Sequence, residues 1–418
     1  MSDTRYKSDM SIDERVMMAM VRIAERFKKN SSALVKNWGL TFSQYNVLRV
    51  LDASENGACI LNHTMMTDFL IKDSTVYGIQ AKDLLSGEDY LAHGRIVLNA
   101  GGAWADIVQN KLNLGGTNGL RKTKGIHLLT RKISNNALVL FAKSDGRLFF
   151  VIPWEGYSLV GTTDTDYTGD LDTVHADASD VNYLVSEICR YFPDFKRDNI
   201  YYTMAGLRPL VTADRKAESN TSRAHKLVDH ELRDGKRHFI SVLGGKITAY
   251  RAIAEEAIDL VCRKLSRKLP CSTAYTSLPG APAVYTQDME NLAKEKGLPL
   301  ETITHLAAIY GSRFSSVLNY ASEDERLVKP IAPGYRDILA QIKHAVIEEQ
   351  ALSVSDFMLR RSAIGLGASQ GLDAIDTVAR EMGAILGWSD KERQNQIDAY
   401  RASAALGRHF TERADNTV

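Results

Sequence analysis

The sequence predicts a chain of the α/β (α+β) class that ends in an all-helical C-terminal domain, and three observations carry that expectation. The first is a pair of strand–Gly-Gly–helix junctions. The apolar run Arg95–Ala100 ends in Gly101-Gly102 before a helical stretch from Trp104 to Leu112. Phe239, Ile240, Val242 and Leu243 lead into Gly244-Gly245, and a helix follows from Tyr250 to Leu265. The second is apolar–polar alternation from Ala58 to Gly94, broken at Lys72-Asp73-Ser74 and Ser86-Gly87-Glu88-Asp89, which reads as short strands joined by turns. The third is a helical period across residues 286–418, interrupted at Gly297-Leu298-Pro299, Pro330–Gly334 and Gly365–Gly371.

The second junction, SVLGGKITAYR, has a definite chemistry. A strand that breaks at paired glycines and restarts as a helix presents backbone N–H groups, which suit an anion or an electron-rich ring edge. Lys246 adds a positive charge there. A plain β-to-α turn with a surface lysine has the same local sequence.

Size and composition narrow the class. The 418 residues suffice for two or three domains, and 44% hydrophobic with 25% charged residues is ordinary for a globular protein. A net charge of +1 gives no bulk argument for nucleic acid. Cys59, Cys189, Cys262 and Cys271 form no CxxC pair, and the polar opening MSDTRYKSDMSIDER is unlike a signal peptide; a reduced, cytoplasmic setting is the expectation. No apolar run reaches the roughly 18–20 residues that span a bilayer, which leaves peripheral membrane contact open.

In order, residues 11–56 have a helical period, with Val16, Met17, Met20, Val21, Ile23, Ala24 and Phe27 recurring at three- and four-residue spacing. The run GLTFSQYNVLRVLDASENG resembles the first two helices of MarR-type regulators, without that family's recognition helix or basic wing. Residues 1–56 are therefore read as a helical segment, 57–270 as a sheet-bearing domain, 271–285 as a Pro-rich linker and 286–418 as the helical domain. Residues 139–167 read as antiparallel strands, and 178–193 as a helix ending at Pro193.

A more specific resemblance covers about 360 residues. VLNAGGAWAD, KGIHLLT, GRLFFVIPWEGYSLVGTTDTDY, AGLRPLV, SRAHKLV and LGGKITAYR occur in the order found in FAD-dependent glycerol-3-phosphate dehydrogenases, within the D-amino-acid-oxidase-like flavoproteins. HLAAIYGSR, SDFMLRRS and LGWSDKE are similar to that family's C-terminal helical domain. The resemblance implies FAD as cofactor and sn-glycerol 3-phosphate as substrate, with dihydroxyacetone phosphate as product. It further implies a quinone acceptor, and leaves open peripheral contact at the inner membrane face and a homo-oligomer.

By the same resemblance, His127 accepts the substrate's hydroxyl proton, since imidazole titrates near working pH. A lone histidine in an apolar strand also serves as a satisfied core residue. Arg208 joins His127 as a catalytic residue and, with Arg223, holds the substrate phosphate through a planar fork of donors. Thr163 and Lys246 complete the substrate contacts, and Asp164 fixes a loop. Gly101, Gly102, Trp104, Gly244, Gly245, Lys246, Ile247 and Thr248 face the cofactor. No carboxylate pair or Cys/His metal cluster stands out, and GLGASQG follows a helix, so it reads as a turn.

One part of the family pattern is missing. Its opening βαβ unit with GxGxxG, the main clamp on the FAD pyrophosphate, has no counterpart after any predicted strand. The expectation is an incomplete FAD-binding Rossmann-like domain with weakened or lost FAD affinity. The alternative is a non-catalytic regulatory protein that dimerises through its N-terminal helices.

Overall fold

Paired glycines and alternating strands set the architecture of the computed structural model, which describes residues 57–114, 120–211, 224–281 and 289–411. The helical segment expected over 1–56 lies outside the described residues. Strands β1 (Thr64–Lys72), β2 (Thr75–Asp83) and β3 (Asp89–His93) form an antiparallel meander. Asp73 and Ser74 turn the first hairpin with φ of 47° and 62°, the left-handed pair a two-residue hairpin needs. β4 (Val97–Asn99) runs into Gly101-Gly102 and helix α1 (Ala105–Asn110).

Next come β5 (Leu120–Arg131), β6 (Leu138–Phe141), β7 (Leu148–Trp154), β8 (Tyr157–Gly161), β9 (Thr165–Asp166), α2 (Ala178–Ile188) and β10 (Ile200–Val211). They make an antiparallel sheet in the order β10-β5-β8-β7-β6, with β9 also on β5. Period-two alternation gives β5 two unlike faces. Ile126 and Leu128 join Phe149, Val151, Val160, Val181, Leu184 and Ile188 in a buried core between the sheet and α2. Gly125 and His127 lie on the other face. α2 stops at Ile188, five residues before Pro193, because the chain turns there to bury Phe195 in the same core.

β11 (His225–Asp229), the one-turn helix α3 (His230–Asp234), β12 (Phe239–Gly244) and α4 (Tyr250–Lys264) follow. β12 lies between β11, antiparallel, and β4, parallel; among the described residues β4 pairs on one side only. Phe239 meets Phe69 of β1 edge-on at 5.0 Å, which seats the meander on this small sheet.

The remaining helices are α5 (Met289–Lys296), α6 (Leu300–Tyr310), α7 (Phe314–Glu323), α8 (Leu339–Ile347), α9 (Val354–Asp356), α10 (Ile375–Leu386) and α11 (Asp390–Leu406). The described residues cluster into a sheet-bearing unit (61–276, 367–370 and 398–411) and a helical unit (57–60, 277–366 and 371–397). The last stretch thus departs from the single 286–418 domain expected. Gly407 O accepts from Thr203 N at 2.8 Å and from its Oγ1 at 2.9 Å, and Phe410 enters the α2 core.

The helical unit buries an acid–base pair. His344 and Glu349 are 4% and 6% exposed, with Nε2 and Oε1 3.7 Å apart. Burial pushes the Glu349 carboxyl up to about 7 and His344 down to about 4. Between pH ~4.5 and ~6.5 the folded pair holds its proton on Glu349 and the unfolded chain holds it on histidine. The proton counts match, so the pair adds no pH dependence in that window. Glu349→Gln leaves only the depressed histidine. Stability of the variant should then rise with pH by up to about 1.4 kcal/mol per unit across this window, checked by urea unfolding at several pH values.

Candidate active site

The site grows from one strand register. On β5, His127 lies between Met204 of β10 and Gly161 of β8. Glycine is required at 161, since a Cβ there would stand 2.6 Å from His127 Cδ2 and 2.7 Å from Ile126 O. Four pairs along the same register, Arg208 stands opposite Thr123 and lays its guanidinium over Gly125, where a Cβ would come within 2.5 Å of Arg208 Cζ. Arg208 Nη1 donates to Thr163 O at 3.1 Å and Asp164 Oδ1 at 3.2 Å, and Nη2 donates to Thr162 Oγ1 at 2.9 Å. Thr163 Oγ1 accepts from Ile126 N at 3.1 Å.

Arg208 therefore clamps the GTTD loop against the strand that carries His127. Thr163 is 2% exposed, and its hydroxyl binds β5 instead of opening outward. Asp164 does fix the loop, as an Arg208 partner. Burial, then the Arg208 charge, hold His127 below the ordinary histidine pKa, so it stays an unprotonated acceptor at neutral pH. Gly161→Ala should displace the imidazole and lower kcat by about 10²-fold with far-UV circular dichroism unchanged.

The two glycine turns lie side by side. β4 and β12 are parallel, with Asn99 opposite Ser241, so both strands deliver their turns at the same carboxyl end. That end is where open parallel sheets bind ligands. Gly102, Gly244 and Gly245 have φ of 56°, 66° and 93°, which favours glycine at each position. Lys246, Ile247 and Thr248 are exposed, and no side chain caps the turn that begins at Lys246. Trp104 is 41% exposed, with Nε1 donating to Asp172 at 3.0 Å.

β10 joins the two parts. A Cβ on Gly244 would meet Val211 Cγ2 at 2.7 Å and Pro209 O at 3.4 Å, so the strand end just past Arg208 abuts the GGK turn. Ala105, Leu120, Val228 and Leu243 form the buried apolar floor beneath both turns. The structure thus gathers Gly101, Gly102 and Trp104 with Gly244–Thr248, and His127 with Arg208, Thr163 and Asp164. Arg223 lies outside the described residues. Sequence reading passed over Gly125, Gly161, Asn99 and Lys124; glycine inside an apolar strand was the available signal for the first two.

A ring-edge and phosphate cradle needs backbone donors, left-handed glycines and nearby positive charge. The paired turns and Lys246 supply all three, so these residues fit a flavin cofactor. Among the described residues no group of three or more His, Cys, Asp or Glu could hold a metal ion.

Comparisons with known proteins agree with this geometry. Residues 19–251 match the model of the FAD dependent oxidoreductase family, and residues 271–393 match the C-terminal domain of alpha-glycerophosphate oxidase. The first match takes in most of the segment read above as a separate MarR-like piece, and the regulatory alternative is not favoured. A glycerol-3-phosphate dehydrogenase of Synechocystis sp. is 34% identical, covering 95% of this chain and 75% of that protein. An aerobic glycerol-3-phosphate dehydrogenase of Staphylococcus haemolyticus is 32% identical over 88% of this chain and 70% of its own. Among solved structures, the glycerol-3-phosphate dehydrogenase of Bacillus halodurans complexed with FAD has a TM-score of 0.78 at 26% identity, covering 89% of this chain and 74% of that one. With both family models in place and the Synechocystis relative matched along most of its length, the chain belongs to the FAD-dependent oxidoreductases, among the glycerol-3-phosphate dehydrogenases.

Proposed function

We propose that this chain oxidises the secondary hydroxyl of sn-glycerol 3-phosphate, yielding dihydroxyacetone phosphate, with FAD as cofactor. The observation that carries the reading is the half-buried His127, its pKa held below the ordinary value by desolvation and by Arg208, on a strand pair whose end abuts the GGK turn. Bound FAD supplies the two-electron acceptor for the C–H bond. Gly101, Gly102 and Trp104 would hold one edge of it, and Gly244, Gly245, Lys246, Ile247 and Thr248 the other.

The chain's own groups have three tasks. His127 takes the hydroxyl proton. Arg208 fixes the 162–164 loop and sets a positive charge near the substrate anion, with Arg223 as the second cation. Lys246 stabilises negative charge at the cofactor's edge. By family likeness we assign the onward acceptor as a quinone met through peripheral membrane contact; among the described residues no helix is long and apolar enough to cross a membrane.

The test is turnover. Protein reconstituted with FAD should reduce a soluble quinone analogue with glycerol 3-phosphate. With unphosphorylated glycerol, kcat/KM should fall by at least about 10²-fold, the size of losing charge-assisted phosphate contacts. Equal rates with both alcohols, or none with either, would overturn the proposal.

A further inference from the structure

A chain of buried polar side chains runs from the first glycine turn to β12, the strand that ends in the second. Asn99 Oδ1 accepts from Gly101 N at 3.0 Å, and Asn99 Nδ2 donates to Ala105 O at 2.9 Å. One side chain therefore braces both limbs of the first turn. The same Nδ2 lies 3.4 Å from Ser241 Oγ across the β4–β12 pair. Ser241 Oγ is 2.9 Å from His230 Nε2, and His230 Nδ1 is 2.7 Å from Asp234 Oδ2. Arg233 Nε donates to that same Asp234 oxygen at 2.8 Å.

The donors and acceptors line up in one sense. Burial holds the His230 pKa down and keeps the ring neutral. With Nδ1–H donated to Asp234, Nε2 accepts the Ser241 hydroxyl, whose oxygen accepts Asn99 Nδ2–H. The ring is further fixed by stacking on Phe239 at 4.3 Å. Ser241, His230 and Asp234 thus share the connectivity of a hydrolytic triad. Yet Ser241 and His230 are both 0% exposed, so no substrate reaches the hydroxyl. A second tie closes the far side. Asp229, at the end of β11, accepts from Lys264 Nζ at 2.9 and 2.7 Å, and Lys264 ends the helix that follows the GGK turn.

We propose that Asn99, Ser241 and His230 are positioning residues that lock the two glycine turns in register, so that they meet FAD as one preformed cradle. The identification of the ligand rests on the function proposed above; the coupling of the turns does not. None of the three side chains needs to touch the cofactor. Ser241 lies three residues before Gly244, and Asn99 two before Gly101. Holding both turns before binding removes an ordering cost at binding.

Hydrogen–deuterium exchange of the full chain without FAD tests the coupling, and a flavin titration tests its consequence. Ser241→Ala should speed exchange in peptides covering both 100–104 and 244–248 by about tenfold, the size of one lost buried hydrogen bond. Peptide 124–131 on β5 should exchange as in the unaltered protein. FAD should bind the variant about tenfold more weakly, by the same lost bond. Asp234→Asn, which keeps shape but disturbs the imidazole tautomer, should move the same two peptides in the same direction, and serves alone if Ser241→Ala does not fold. Faster exchange in one turn only, in neither, or equally in 124–131 would overturn the proposal, as would unchanged FAD affinity. If the unaltered protein takes up no FAD, the proposed function fails, while the exchange pattern still decides whether the turns are coupled.

Discussion

Replacing His127 with Gln is expected to lower kcat by about 10²- to 10⁴-fold, the usual worth of a positioned proton acceptor, while FAD affinity and thermal midpoint change little. The imidazole lies on the sheet face away from the α2 core, so its loss opens no apolar cavity there. The pH profile gives an independent readout. Burial and Arg208 depress the His127 pKa, so its unprotonated form persists below the ordinary value of about 6.5. Activity should therefore be lost only as pH falls through the depressed value, and the acid limb of kcat/KM should lie below pH ~6.5. Removing the neighbouring charge by Arg208→Met should move that limb upward, since the second cause of the depression goes with it. An acid limb that stays in place in His127→Gln would assign it to another group.

The second large effect concerns stability. Lys124→Met should destabilise the sheet-bearing unit by about 3–5 kcal/mol, the cost of removing one partner of a buried ion pair. Lys124 Nζ lies 2.8 Å from Asp177 and 2.6 Å from Asp180, which form the capping box of α2. The Lys124 and Asp180 side chains are 8% and 2% exposed. Methionine fills the lysine's volume but strands the Asp180 charge beneath the sheet. At roughly 2–4 °C per kcal/mol for a unit of this size, the midpoint should drop by about 10 °C. Lys124→Met with Asp180→Asn should recover part of the loss, because the second change removes the stranded charge. Denaturant unfolding of both variants checks this, and a single variant as stable as the unaltered chain would contradict it.

Lys124 also shows what could be read from sequence and what could not. The motif KGIHL marked His127, and Gly244-Gly245 marked the turn, because each signal is local: a motif, or a change of period at paired glycines. That Gly161 makes room for His127 and Gly125 for Arg208 depends on which residues face one another across β8, β5 and β10. Pairing between distant segments leaves no trace in any single stretch of chain. The same reason hid the Lys124 contact with Asp177 and Asp180, some fifty residues downstream, and the return of residues 398–411 to the sheet-bearing unit. Thr163 was assigned to the substrate by resemblance, and its bond to Ile126 N was hidden because a loop residue's sequence does not say which strand its hydroxyl meets. The Asn99–Ser241–His230 chain was illegible for the further reason that its members are ordinary polar residues until the β4–β12 register joins them.

The proposed function requires that the paired glycine turns hold FAD beside His127 and Arg208. Anaerobic addition of glycerol 3-phosphate to the FAD-reconstituted chain tests it most directly. One FAD per chain is expected, with loss of the oxidised flavin's visible absorbance on adding glycerol 3-phosphate and a much slower loss in His127→Gln. A chain that retains no flavin, or a bound flavin that stays oxidised with glycerol 3-phosphate in excess, would contradict it.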